Sequence, residues 1–338
     1  MKKIFQSIVS WFDAHAGLEK LKSLSPKELD KIDWFRAVPF IAMQLMCLGV
    51  FWVGFSWIAL ATAVALYVIR MFAITGFYHR YFSHKTFRTS RPVQFIFGLV
   101  GASSVQRGPL WWAAHHRTHH KLSDLPGDPH SPVLYGFWKS HMGWFMTRRH
   151  FPTNFKLIPD LTKYPELMFL NRFDIVVPVV LAFGTYYFGK LLQIYAPHLG
   201  TNGPQMLIWG FFISTTALFH GTATINSLSH LFGWKRFKIT DESRNNPLLA
   251  IITLGEGWHN NHHRYQSATR QGFYWWEYDF TYYALKVLSW FKIITHIKPV
   301  SQKIYQEVRD QKALKKLIKA GQLTDLLPDP NPLPKNAS

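Results

Sequence analysis

Seventeen histidines occur in 338 residues, and nine of them fall in three tight runs: His79-x-x-x-x-His84, His115-His116-x-x-His119-His120 and His259-x-x-His262-His263. A tenth, His230, stands alone just after an apolar stretch. On a helix, offsets of three and four residues put side chains on one face, so each HxxHH presents three imidazoles together. The five-residue offset of His79 and His84 shares no face on a regular helix, so the helix is expected to end or distort there. Imidazoles concentrated in this way are costly to pack unless a cation organises them, and imidazole suits Zn, Cu, Fe and Ni. A zinc-type site takes three or four protein ligands, so eight or nine histidines imply two metals. The HExxH pattern of zinc proteases is absent, and the single cysteine, Cys47, excludes an intrachain disulfide or a Cys-built cluster. His15, His130, His141, His150, His198, His220 and His296 read as ordinary core or surface residues.

The elements that must position these runs are membrane spans. Only 17% of the chain is charged while 48% is hydrophobic, and a soluble enzyme carries nearer a quarter charged residues. About 20 apolar residues cross a bilayer, and two hairpins of that length are legible, turning near Gly54 to Trp57 and near Pro197 to Pro204. Val93 to Val105 is too short to cross, and Tyr278 to Ile297 carries Lys286 and Lys292; both read as interfacial or core helices. The expected fold is all-α, with four transmembrane helices in two hairpins capped by a cytosolic helical domain that holds a His-rich two-metal site. Residues 1–36 would be a cytosolic amphipathic segment, 37–78 the first hairpin and 79–172 a cytosolic domain with the first two histidine runs. Residues 173–227 would be the second hairpin, 228–320 a cytosolic domain with the third run, and 321–338 a disordered tail rich in Pro. Ile4, Phe5, Ile8, Val9, Trp11 and Phe12 recur at helical spacing; the region reads as a helix lying on the membrane rather than a cleaved signal, because its apolar run is short and interrupted.

The formal charge of +19 first suggests nucleic acid, but 35 of the 38 Lys and Arg lie in the segments 1–36, 79–171 and 231–338. Four spans put these segments on one side, and the positive-inside rule makes that side the cytoplasm. Both termini and all histidine runs are therefore expected there, with no nucleic-acid partner.

The runs HRYFSH, HRTHH and HNNHH resemble the three histidine boxes of the integral-membrane fatty acyl desaturases, and most closely the stearoyl-CoA (delta-9 acyl-CoA) desaturase type, over roughly residues 37–295. Asp128-Pro129-His130, Asn226-Ser227-x-x-His230 and Gly255-Glu256-Gly257 extend the match. The resemblance implies a di-iron centre of two Fe ions held by His79, His84, His116, His119, His120, His230, His259, His262 and His263, with Asn226 reaching one metal through water. His115 precedes the HxxHH register and is expected to be exposed or beside the ligands. Asp124, Asp128 and Glu256 are expected to accept the second N–H of ligand imidazoles. Gln106, Trp112 and Thr222 match positions that shape the bend of an acyl tunnel. Arg148-Arg149, after His141-x-x-Trp144, resembles a basic pair that contacts the carrier's phosphates. In the family's animal members an Arg-Asp pair that helps bind CoA precedes the second box; here Ala114 and His115 stand in its place, so CoA, acyl-carrier protein and lipid all remain open as carriers.

The implied reaction is O2-dependent: hydrogen is taken from an unactivated methylene and then from its neighbour, leaving a cis double bond, with oxygen released as water. It uses no catalytic residue apart from the metal ligands and needs a dry, shaped pocket. The partners would be a saturated fatty acyl-CoA or other acyl carrier, O2 and membrane lipid. The chain carries no CxxC, no His-Pro-Gly-Gly haem motif and no GxGxxG fingerprint. No bound haem or flavin is expected, and electrons must come from a separate donor of the cytochrome b5, ferredoxin or rubredoxin type. Two other classes compete: a related di-iron membrane hydroxylase or alkane monooxygenase, and a non-catalytic membrane metal-binding protein. The Asn226/His230 and DPH patterns favour desaturation over hydroxylation. A transporter would place ligands near the bilayer midplane, whereas these runs sit at span ends.

Overall fold

The computed structural model describes residues 11–320; the first ten residues of the amphipathic segment expected at the N-terminus, and the tail expected from residue 321, lie outside the described residues. The chain up to Pro299 forms one compact unit, and the residues from Val300 form a second. In the first unit a hairpin of α1 (Trp34–Val53) and α2 (Trp57–Ser83) is followed by two shorter helices, α3 (Arg91–Ala102) and α4 (Pro109–Leu122). A second hairpin, α5 (Val176–Tyr195) and α6 (Gly203–His230), leads to α7 (His259–Arg264) and α8 (Phe280–Trp290). Among the described residues α1, α2, α5 and α6 are long and apolar enough to cross a membrane, whereas α3 and α8, with 12 and 11 residues, fall short of a span. The one sheet among the described residues pairs β1 (Arg88–Thr89) with β2 (Ile294–Thr295), antiparallel, Arg88 opposite Thr295. In the second unit α9 (Gln302–Lys319) starts at Ser301, whose hydroxyl accepts from the Lys303 N–H.

Phe51, Trp52, Trp57 and Tyr195, at the outer ends of the hairpins, are all at least 75% exposed. Large aromatic rings favour that depth of a bilayer, which accounts for part of the aromatic excess. Inside the bundle the spans are tied by a buried cation. Arg70 of α2, 1% exposed, donates to Thr215 Oγ1 at 2.8 Å and Ser214 Oγ at 2.5 Å on α6, and to the Ser103 carbonyl at 3.2 Å. Those oxygens replace the hydration that the guanidinium loses on burial.

Helix α2 is not α-helical to its end. From Ala73 to Ser83 it widens into a π-helix, and His84 caps it. A π-helix closes on i→i+5 bonds, so residues five apart come to one side, and the His79 and His84 rings lie 4.9 Å apart. The expected distortion is this widening. An aromatic core holds it: Phe77 stacks on Phe97 of α3 with centroids 3.7 Å apart, and buried Phe82, Phe87, Leu110 and Leu285 complete the cluster.

Candidate metal centre

Each helix delivers its histidines by its own spacing. The π segment of α2 brings His79 and His84, α4 brings His116, His119 and His120, α6 closes with a 3-10 turn ending in His230, and α7 is the third run itself. The nine imidazoles sort into two groups. His79, His84, His116, His120 and His262 form one, and His119, His230, His259 and His263 form the other; within each, ring nitrogens lie within 4.8 Å of one another. The i, i+4 partners stay together, His116 with His120 and His259 with His263, while the residue between them crosses to the other group.

In the first group Nε2 of His79 lies 3.0 Å from Nε2 of His262, His84 lies 2.7 Å from His116, and His120 lies 2.9 Å from His262, each through Nε2. In the second, Nε2 of His230 lies 3.1 Å from that of His259. Carboxylates take the opposite edge of four rings: Glu256 on His79 Nδ1, Asp128 on His119 Nδ1 at 3.0 Å, Asp124 on His230 Nδ1 at 2.8 Å and Asp241 on His263 Nδ1 at 2.9 Å. A carboxylate accepts only, so Nδ1 carries the proton and Nε2 is left with its lone pair. His79 and His230 then aim lone pairs at another imidazole nitrogen about 3 Å away, a contact that needs either a proton on the facing nitrogen or a cation between the two. His263 Nε2 is buried without any partner. The residues fit a metal in each group, and neutral nitrogen donors suit Fe, Zn, Cu or Ni.

Electrostatics agrees with that geometry. Burial, reinforced by neighbouring imidazoles, pushes His84, His116, His120, His259 and His262 well below the ordinary imidazole value. Burial also lowers His263, to about 4, although Asp241 offsets part of the effect. These rings are uncharged at neutral pH. Burial lowers His119 too, but the Asp128 charge outweighs it and raises the group above its usual value, which makes its free nitrogen a stronger donor. Burial opposes ionisation of the partner carboxylates, yet hydrogen bonds from the histidines hold Asp124 at about 2 and keep Asp128 and Asp241 well below the usual carboxylate range.

Glu256 sits where no side chain but glycine fits beside it. Gly255 has φ +131°, and a Cβ on Gly257 would come within 2.1 Å of the Ala250 nitrogen. The carboxylate also accepts from Arg80 at 3.0 Å and Gln271 at 2.8 Å, while Arg80 reaches Asp279 at 2.9 Å. Asp241, Arg80 and Gln271 escaped sequence reasoning. Asp241 is 22 residues from its histidine with no spacing pattern that ties the two together, and Arg80 looked like one more cation at a span end.

The remaining site candidates divide. Gln106, Trp112, Thr222 and Asn226 line one apolar cavity of about 710 Å³ that reaches His116. In its wall Gln106 Nε2 donates to Thr222 Oγ1 at 3.1 Å, and Trp112 stacks on His116 at 4.9 Å. Arg148 and Arg149 are not part of that wall; the Arg149 guanidinium is engaged by Asp30, at 2.5 and 3.0 Å, and by the Pro26 carbonyl. His115, expected to be exposed or beside the ligands, is half-buried: one position before His116, it turns about 100° away from that ring and packs against Trp111, Trp144 and His150 in the cavity wall. Two histidines read as ordinary also do more. His130 lies 4.4 Å from the His119 ring and lines the cavity, and His141 is hydrogen-bonded to Ser227 and His220.

Four helices long and apolar enough to cross a membrane, two buried imidazole groups able to hold metal and an apolar cavity beside them define the class of the site. The sequence matches the fatty acid desaturase family over residues 10–289, and the chain belongs to that family. It is 32% identical over 273 residues to an acyl-CoA 5-desaturase of Anemone leveillei, covering 80% of this chain and 81% of the relative. To an sn-1 stearoyl-lipid 9-desaturase of Anabaena variabilis it is 32% identical over 279 residues, covering 81% and 96%. A hex-5-enoyl-[acyl-carrier protein] acetylenase of Moorena producens is 30% identical over 289 residues, covering 80% and 87%.

Proposed function

We propose that the protein is an O2-dependent desaturase that places a cis double bond, at the delta-9 position, in a saturated acyl chain presented on a carrier. The observation that carries this reading is the apolar cavity lined by residues of α1, α5 and α6 that also takes in His116 and Asn226. The nine histidines would hold two irons, with Asn226 as a contact through water, and the irons when bound would supply the oxidising power that removal of hydrogen from an unactivated methylene needs. The chain's own residues do the rest. Trp112 and the Gln106–Thr222 bond shape the wall next to His116 and so select which methylene lies there. Apolar lining excludes water, and the outer carboxylates hold each ring in one tautomer. Reducing equivalents come from a docked donor of the cytochrome b5, ferredoxin or rubredoxin type. The concentration of Lys and Arg on the histidine side supports a cytoplasmic active site.

Fatty-acid profiling tests the reaction. Expression in a host that lacks delta-9 desaturation is expected to convert stearate and palmitate chains to their cis-9 products. A hydroxylated product would assign the alternative monooxygenase chemistry, and no product in the presence of a matched donor and loaded iron would leave only metal binding. For orientation, in a C47S background, cysteines at Lys156 and His198 are expected to label from opposite sides; labelling from one side would refute the topology.

A further inference from the structure

The cavity has a charged end that its role as a hydrocarbon pocket does not use. Apart from histidines, the charged side chains in its wall are Arg36, Arg107 and Asp174. The guanidinium carbons of Arg36 and Arg107 stand 3.2 and 3.9 Å from the centroid of Phe151, which puts the two charges within about 7 Å of each other. Arg36 is held by Asp33 at 2.8 Å and by the Ala16 carbonyl at 3.3 Å. Arg107 bonds Asp174 through Nε alone, at 2.5 Å, and no hydrogen bond from its two terminal nitrogens occurs among the described residues. Both side chains remain about one-fifth exposed. Arg107 also occupies left-handed backbone at φ +67°, a conformation that is strained for a non-glycine residue and persists only where the surroundings enforce it. The same turn places Gln106 against Thr222, so one strained segment sets both the wall beside His116 and the cation beside Phe151.

We propose that Arg36 and Arg107 bind a phosphate ester of the acyl carrier, with Asp174 giving way to it. This rests on the reading that the cavity takes an acyl chain. A hydrocarbon gains nothing from two guanidinium groups. A fatty-acid carboxylate would only replace Asp174 like for like. A phosphate ester presents oxygens on more than one side and can bridge both forks with charge-assisted bonds. The site differs from the Arg148-Arg149 pair, which the fold keeps out of the cavity wall.

The test is equilibrium binding to the metal-loaded protein in maltoside micelles, with four stearoyl probes: stearoyl phosphopantetheine, 1-stearoyl glycerol 3-phosphate, stearate and methyl stearate. The double variant R36Q/R107Q is expected to weaken the phosphate probes at least about tenfold and methyl stearate less than about twofold, a difference that shrinks at high salt. D174N removes the competing carboxylate and is expected to tighten the phosphate probes several-fold; a folding defect cannot produce that gain. The phosphate probe that responds more strongly tells a phosphopantetheine carrier from a lipid headgroup. Equal loss of all four probes in R36Q/R107Q, with no gain in D174N, would overturn the proposal in favour of a structural role. Loss of phosphate binding in R148Q/R149Q but not in R36Q/R107Q would overturn it in favour of the basic pair. If no probe, methyl stearate included, binds the wild type, the acyl reading of the cavity fails first.

Discussion

The two histidine groups are built on different principles although they share helices. In the second group three of four rings each have a carboxylate of their own, Asp128, Asp124 and Asp241. In the first group one ring of five does, His79, and its Glu256 is also committed to Arg80 and Gln271. The four-histidine group is therefore oriented by local charge, one acid per ring. The five-histidine group is oriented by helix geometry, the π segment of α2 and the i, i+4 spacing of α4, with a single buried ion network behind it. A fault in a local acid should stay local, whereas a fault behind the first group should reach the fold.

The largest effects come from the ligands. His262→Ala in the first group and His119→Ala in the second are each expected to lower product at least about a hundredfold, and iron analysis should show one ion lost per chain in each case. If both ions leave both variants, the groups are not independent. Next come the outer acids. Asp128→Asn or Asp241→Asn should weaken metal binding about 10–100-fold and cost the metal-free protein about 1 kcal/mol, because each carboxylate is held ionised by its histidine. Glu256→Gln should weaken metal binding likewise but lower the stability of the metal-free protein by about 1.5–3 kcal/mol, because the buried Arg80 guanidinium loses a charged acceptor and keeps Asp279 and the Thr269 carbonyl alone. Equal stability of the metal-free Glu256→Gln and Asp128→Asn proteins would erase the contrast.

The smallest effect tests the scaffold outside both groups. Arg117, on the outward face of α4, bonds Asp160 at 2.6 Å, and Lys85 joins at 2.7 Å. Burial opposes ionisation of Asp160, but these partners outweigh it and hold the group at about 2 against an ordinary 3.8. A depressed carboxylate contributes stability that is complete above the unfolded value and lost as pH falls toward the folded one. Asp160→Asn should thus cost about 1 kcal/mol at neutral pH, a cost that shrinks below about pH 4 and vanishes only once the pH has fallen through about 2, with metal content unchanged; a metal loss here would mean that α4 is tuned from outside.

The sequence by itself determined the spans, the helical class and which histidines could act together, because bilayer thickness and helical periodicity are properties of consecutive residues. The awkward spacing of His79 and His84 even announced that the helix ends or distorts there, and the structure resolves this as the π-helical widening of α2. What spacing cannot carry is partnership between distant segments. Only the tertiary structure decided that His262 joins the first group and His263 the second, that Asp241 serves His263, that Arg80 is buried behind Glu256, and that Arg36 and Arg107 meet over Phe151 while Arg149 is spent on Asp30. Each of these is a contact between side chains whose positions depend on how whole helices cross and how a few turns are strained. Charge and hydrogen bonding act over a few ångströms in space, and chain order does not encode that proximity.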